Sequence, residues 1–190
     1  MNVNDCMIEK EDKFPIKEEK GMKKHSKAIF LLLFAVLVLS ACSASLKEEQ
    51  NTALEKAREL FKSDSKKTNH KNDDIEFYLP FGYEVKEEKP NNVIFKNGSK
   101  TFILFYNQHE DRSSKVVYEA TLNQDEYEIN ETFSENGRFG YVLINQIDKE
   151  LNELVIGVGG VKITTEIKTK SLSTEAAAMI EIANSVKMKD

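Results

Sequence analysis

Short runs of alternating apolar and polar residues, separated by turn residues, fill the second half of the chain. Such runs are typical of antiparallel strands. Asn97-Gly98, a strong hairpin signal, separates residues 92–96 from 100–106 and predicts two paired strands. Both runs are apolar at almost every position, so we expect central strands covered on both faces. Further strands are predicted around residues 75–79, 116–122, 127–129, 139–147, 154–156 and 161–167.

The run at 161–167 alternates most regularly and predicts a strand with one solvated face. The glycines before it, Gly157, Gly159 and Gly160, indicate a turn or bulge. A phosphate cradle would need them between a strand and the start of a helix, and that context is missing.

The chain ends in a segment with helical periodicity. Ser173 can cap this helix, and Glu175 lies in its first turn near the positive end of the helix dipole. Its apolar positions form one stripe, which needs a sheet to cover it: Ala176, Met179, Ile180, Ala183 and Val186. The predicted fold class is therefore α+β, an antiparallel sheet with a C-terminal helix packed on one face, over residues 74–190.

The preceding segment, residues 42–73, is polar. Leu54, Ala57, Leu60 and Phe61 follow at spacings of three and four, which predicts a short helix within residues 46–61. Residues 63–72 have the composition of a flexible linker. We therefore expect a tether that contains one helix. A helix that binds a partner is the alternative, and the sequence leaves open whether this helix packs on the domain.

The N-terminal segment, residues 1–41, has the features of a secretory signal peptide. Lys23, Lys24 and Lys27 precede an unbroken apolar run over residues 28–39, and small residues follow. This run is shorter than the roughly 20 residues that a spanning helix needs. Because a signal peptide normally opens with its cationic region, we expect translation to begin at Met22. The codons of Lys17-Glu18-Glu19 can also form a ribosome-binding sequence.

The segment Leu39-Ser40-Ala41-Cys42 resembles the lipobox of bacterial lipoproteins of the Gram-positive type. The resemblance implies that the Cys42 thiol receives a diacylglyceryl group, that a peptidase cuts before Cys42, and that the protein is anchored on the extracytoplasmic face of the cell membrane. Two acyl chains suffice for a stable anchor. The alternatives are an ordinary secreted protein with an incidental cysteine and a short uncleaved anchor.

A second resemblance covers most of residues 75–188. Leu79-Pro80-Phe81-Gly82-Tyr83, the run of hairpins and the closing helix that ends in Asn184-Ser185-Val186 are similar to small lipoproteins of Gram-positive bacteria and to the PsbP/Mog1-like fold. This resemblance implies an accessory or binding module. The fold itself dictates no chemistry.

Charge and cysteine content exclude some functions. The formal net charge is −5, and the acidic excess falls after Cys42, which argues against binding to nucleic acid. The only cysteines are Cys6 and Cys42, so a chain cut before Cys42 can form no internal disulfide.

Candidate chemistry is sparse. His109 with Glu110 and Asp111 could touch a metal, but a solvated turn is favoured, and His70 falls in the expected tether. Carboxylates are abundant at Asp125, Glu126, Glu128, Glu131 and Glu135, and Glu126 and Glu128 follow the pattern of an exposed strand face instead of a paired acid and base. We assign no catalytic, cofactor-binding or metal-binding residue.

The expected function is a non-catalytic binding or accessory module that acts on envelope proteins or wall polymers. The alternative is a small envelope hydrolase. That alternative would require a pocket with converging carboxylates and raised pKa values.

Overall fold

The computed structural model describes residues 45–189, which form three helices and ten strands. In chain order these are α1 (Leu46–Lys62), β1 (His70–Lys71), β2 (Ile75–Phe77), β3 (Tyr83–Lys89), β4 (Asn92–Asn97), β5 (Lys100–Tyr106), α2 (Val116–Leu122), β6 (Ile129–Glu135), β7 (Arg138–Asp148), β8 (Leu151–Val158), β9 (Val161–Lys168), α3 (Leu172–Ser185) and β10 (Lys187–Met188). A short 3-10 helix, Thr169–Ser171, joins β9 to α3.

Seven strands form one antiparallel sheet in the order β3-β4-β5-β9-β8-β7-β6. Strand β9 is central. After β6, β7 and β8, the chain forms β9, which pairs with β8 on one side and with the earlier strand β5 on the other. A separate small sheet has the order β1-β2-β10. Both the hairpin at 92–106 and the strand at 161–168 lie where the sequence predicted them.

The main core lies between one face of the large sheet and two helices, α1 and α3. From α3 it receives Ala176, Met179, Ile180 and Ala183, as its apolar stripe predicted. The facing strands supply alternate residues such as Phe102, Leu104 and Ile163. The α+β class with a C-terminal helix on one face of an antiparallel sheet is confirmed.

The short helix predicted within residues 46–61 is confirmed as α1, but residues 45–73 do not form a tether. Helix α1 packs alongside α3, and its Ala53, Ala57 and Phe61 side chains are fully buried in the core. Phe61 contacts Phe133 of β6 with ring centroids 5.0 Å apart. Strand β1 then pairs with β2. The predicted domain boundary at residue 74 therefore moves to the start of α1.

Residues 116–122 form helix α2, where the sequence predicted a strand. Their weak alternation also places Tyr118 and Leu122 four residues apart, on one helical face. That face packs against Tyr141 and its neighbours on the sheet. Burial of these side chains decides the conformation, because seven residues are too few for propensity alone to decide it.

Three smaller expectations also change. Helix α3 begins at Leu172 after Ser171, and Ser173 lies buried within the first turn instead of capping it. Strands β4 and β5 are buried on one face only, since the Ile103 side chain is 45% exposed. Strand β6 begins at Ile129, so Glu126 and Glu128 belong to the preceding loop.

Candidate binding face

The sheet face opposite α1 and α3 is covered only in part. Helix α2 shields the region where Tyr118 and Leu122 pack on Tyr141 and Leu143. The region over the first half of β5, the second half of β9 and the first half of β8 lies outside the part that α2 covers, and no other described helix packs on this face. We call this region the open face. Its outward side chains belong to Thr101, Ile103, Leu151, Glu153, Thr164 and Glu166.

A groove of about 680 Å³ runs across the open face. Ile103 stands opposite Thr164 of β9 and gives the groove an exposed apolar side chain. Charged and hydroxyl side chains also line the groove, among them Thr101, Glu153, Glu166 and Lys168. The groove therefore offers apolar contact together with hydrogen-bonding and ionic groups.

Glu153 and Glu166 lie directly opposite each other on neighbouring strands, with both side chains on the open face. Burial raises the pKa of Glu153, and the negative charge of Asp125 raises it further, with a smaller contribution from Glu166. Like charges in opposed positions destabilise a sheet. This pair is therefore an electrostatically unfavourable feature of the isolated domain.

Lys162 lies half-buried at the edge of the groove, beneath α2. Its Nζ donates a hydrogen bond of 3.2 Å to Thr121 Oγ1. Burial lowers the pKa of Lys162, while the carboxylates of Glu153 and Asp125 oppose this shift. The pKa of the nearby Tyr127 hydroxyl is raised, chiefly by burial and then by the charges of Glu153 and Asp125.

Tyr141 and Gly157 are paired residues on β7 and β8. A Cβ atom at Gly157 would lie 2.2 Å from Cζ of Tyr141, so the tyrosine ring fills the space left by the missing side chain. The Tyr141 hydroxyl is buried and has no hydrogen-bond partner within residues 45–189. Gly157 is therefore a packing residue within a strand, whereas Gly159, with φ of +56°, belongs to the predicted turn.

A smaller cavity of about 260 Å³ lies between α2 and the sheet. It shares no lining residue with the groove, but its residues Phe105 and Lys162 are two positions along their strands from Ile103 and Thr164 in the groove. The two spaces are neighbours on the same sheet face. No cluster of three or more potential metal ligands occurs in the part of the chain that the structure describes.

The predicted lipidation residue Cys42 and the cleavage motif Leu39, Ser40 and Ala41 lie outside the described residues, as does the expected start at Met22. His70 is not in a tether, because β1 positions its ring against Phe77 and 3.0 Å from Glu88.

The remaining sequence candidates do not converge on the open face as a set. His109 lies in an exposed turn, where its backbone N–H donates to Asn107 Oδ1. Glu131 pairs with Arg58 of α1. Of the acidic residues considered in the sequence, Asp125 is the one whose charge acts on Glu153.

Sequence reasoning missed Glu153, Lys162 and Glu166. Each stands at a solvent-side position of a strand, which is the ordinary place for a charged residue. Their proximity depends on the register of β8 against β9, and no local pattern encodes that register. Gly157 interrupts a run of apolar residues, which often marks close approach of another group, but the group that approaches here is Tyr141 and not one of these three residues.

A scan against models of protein families finds no match, and a search of curated proteins finds none either. Among solved structures the chain is similar to cyanobacterial PsbP (CyanoP) from Synechocystis, with 20% identity and a TM-score of 0.35 over 60% of this chain and 86% of that one. It is also similar to a protein of Bacteroides thetaiotaomicron, with 13% identity and a TM-score of 0.31, over 61% of this chain and 45% of that one. Within the described residues, no helix is both long and apolar enough to cross a membrane.

Proposed function

We propose that this protein is a lipoprotein, held at the extracytoplasmic face of the cell membrane by acyl chains on Cys42, and that it acts as a non-catalytic binding or accessory module. Its partner is an envelope protein or a wall polymer. The single observation that supports binding most strongly is the open face, where an exposed isoleucine lines a groove together with charged side chains.

The anchoring part of the proposal rests on the order of sequence features. A cationic start, an apolar run of about 12 residues, small residues and a cysteine follow one another over residues 23–42. Cysteine is the residue type that supplies a soft nucleophile for alkylation. Two acyl chains then provide a stable anchor where one would bind reversibly.

The binding part rests on the character of the groove. Protein interfaces combine apolar contact with polar groups, and Ile103 together with Thr101, Thr164 and Glu166 supplies both. A bound partner with a cationic group would also relieve the repulsion between Glu153 and Glu166. We therefore expect basic groups on the surface that docks here.

One observation favours the alternative, a small envelope hydrolase. Glu153 has a raised pKa and faces a second carboxylate, Glu166, which is the arrangement of a general acid beside a base or nucleophile. Against it, Glu166 is exposed and the groove is open to solvent, whereas carboxylate catalysis gains most in a site that excludes water. Binding is therefore the better-supported function.

The test is a cross-linking pull-down of the full-length protein from membranes, followed by mass spectrometry. Ile103→Asp replaces the exposed apolar side chain of the groove with a charged one. Ile147→Asp is the matched control, because Ile147 is 50% exposed and lies outside the groove lining. We expect one partner to be lost from Ile103→Asp and retained by Ile147→Asp.

An identical set of captured proteins and wall fragments for both variants would remove the open face as the binding surface. Glu153→Gln separates the two functions. A hydrolase would lose its activity on wall or peptide substrates, whereas a binding module would retain its partner.

A further inference from the structure

The start of helix α1 is fixed to the domain. Ser45 caps the helix by accepting a 3.2 Å hydrogen bond from the backbone N–H of Glu48. Leu46, the first helical residue, packs against the core, and Gln50 in the next turn is buried. The chain therefore leaves the folded domain at a defined point, and the first turn cannot unwind without exposing packed side chains.

This exit point lies at one end of the sheet. The backbone N–H of Ser173, in the first turn of α3, hydrogen-bonds to Glu49 Oε2 of α1 at 3.3 Å. Lys100, at the start of β5, pairs with Glu175 of that same turn of α3. The first turns of both helices and the β4–β5 turn therefore share one end of the domain, which we call the exit end.

The groove reaches the exit end. Ser99 of the β4–β5 turn lines it, as do Lys170 and Ser171 of the 3-10 helix that packs beside α1. The opposite end is far away, because α1 has 17 residues and spans about 25 Å at about 1.5 Å per residue. Phe61 near the end of α1 contacts Phe133, which places Ser134 of β6 toward that opposite end.

Only Ser43 and Ala44 separate Cys42 from Ser45. Three residue steps span at most about 11 Å even when fully extended. That connection is less than half the length of α1, so an acyl anchor on Cys42 holds the exit end close to the bilayer.

We infer that the exit end rests against the phospholipid headgroups of the membrane that holds the anchor, so that one end of the groove lies next to that surface. This inference rests on the proposed acylation of Cys42 and adds an orientation to it. Lys168 and Lys170 are exposed near this end and form no ion pair with another described residue, so they are available to headgroup phosphates. Glu150 lies nearby, so the orientation depends on the short connection more than on net charge.

The test uses the full-length protein, extracted with its lipid and reconstituted into phosphatidylcholine vesicles. Ser99→Cys and Ser134→Cys each add one exposed thiol, at the exit end and at the opposite end, for labelling with the environment-sensitive fluorophore NBD. A nitroxide on the lipid headgroup quenches fluorescence at short range. We expect strong quenching at position 99, severalfold weaker quenching at position 134, and loss of the difference after insertion of a 20-residue Gly/Ser linker between Ala44 and Ser45.

Equal quenching at positions 99 and 134 without the linker would overturn the orientation. Lys170→Cys provides a second site at the exit end and must behave like Ser99→Cys. Fatty-acid labelling of the same preparations separates the two proposals. Absence of acyl label on Cys42 contradicts the lipoprotein itself, whereas labelled protein with equal quenching contradicts the orientation alone.

Discussion

Replacing Phe61 with alanine tests whether α1 belongs to the core. The Phe61 ring is fully buried, contacts Phe133, and lies 4.8 Å from the guanidinium carbon of Arg138. In protein cores, replacing a buried phenylalanine with alanine lowers the free energy of unfolding by about 3–5 kcal/mol, because apolar burial is lost and a cavity is left. We therefore expect Phe61→Ala to lower the free energy of unfolding by about that amount, a large share of the roughly 5–15 kcal/mol of a typical domain.

Urea unfolding of a soluble chain that starts at Ser43, monitored by far-ultraviolet circular dichroism, measures this change. Phe81→Ala is the matched control, because the Phe81 side chain is fully exposed. The control should change stability by no more than about 0.5 kcal/mol. If Phe61→Ala costs as little as Phe81→Ala, α1 does not pack as described and residues 46–62 act as the tether that the sequence predicted.

Three other outcomes follow from the packing and the charges. A chain that starts at Asp73 should lack cooperative unfolding, because it loses Ala53, Ala57 and Phe61 and uncovers one side of α3; a cooperative transition would contradict this. Gly157→Ala should cost about 1–3 kcal/mol in urea unfolding, since its Cβ would overlap the Tyr141 ring; an unchanged midpoint would contradict the close approach. Glu153→Gln should raise the melting temperature at neutral pH. The pKa of Glu153 in the folded state is raised above its usual 4.5, so ionisation of Glu153 lowers the stability of the unaltered protein as the pH rises through the folded-state pKa. Equal melting-temperature profiles of the two proteins from pH 4 to 7 would contradict this.

Local periodicity was sufficient to predict several elements. Asn97-Gly98 identified the hairpin, the alternation from Val161 to Ile167 identified the central strand, and the stripe from Ala176 to Ala183 identified the closing helix and the face it buries. Each of these signals lies within one segment of about a dozen residues. The tertiary structure contains these elements because burial of their apolar side chains in the core stabilises the same local conformation that the sequence favours.

The errors arose where tertiary contacts decide the outcome. Helix α1 buries Ala53 and Ala57, and alanines on a polar helix are a weak hydrophobic signal, so the sequence predicted a tether that contains this helix. In α2, Tyr118 and Leu122 satisfy both a strand-like and a helical spacing, and only packing on Tyr141 distinguishes them. The open face could not be predicted, because Glu153 and Glu166 are brought together by strand register.

The central claim is that acyl chains on Cys42 hold a binding domain at the membrane. Cells that express the full-length protein, grown with a radiolabelled fatty acid, test it most directly when membrane and soluble fractions are separated. We expect acyl label and membrane association for the unaltered protein and for the control Cys6→Ala, and loss of both label and cleavage for Cys42→Ala. Equal label in the Cys42→Ala protein, or none in the unaltered one, would contradict the account.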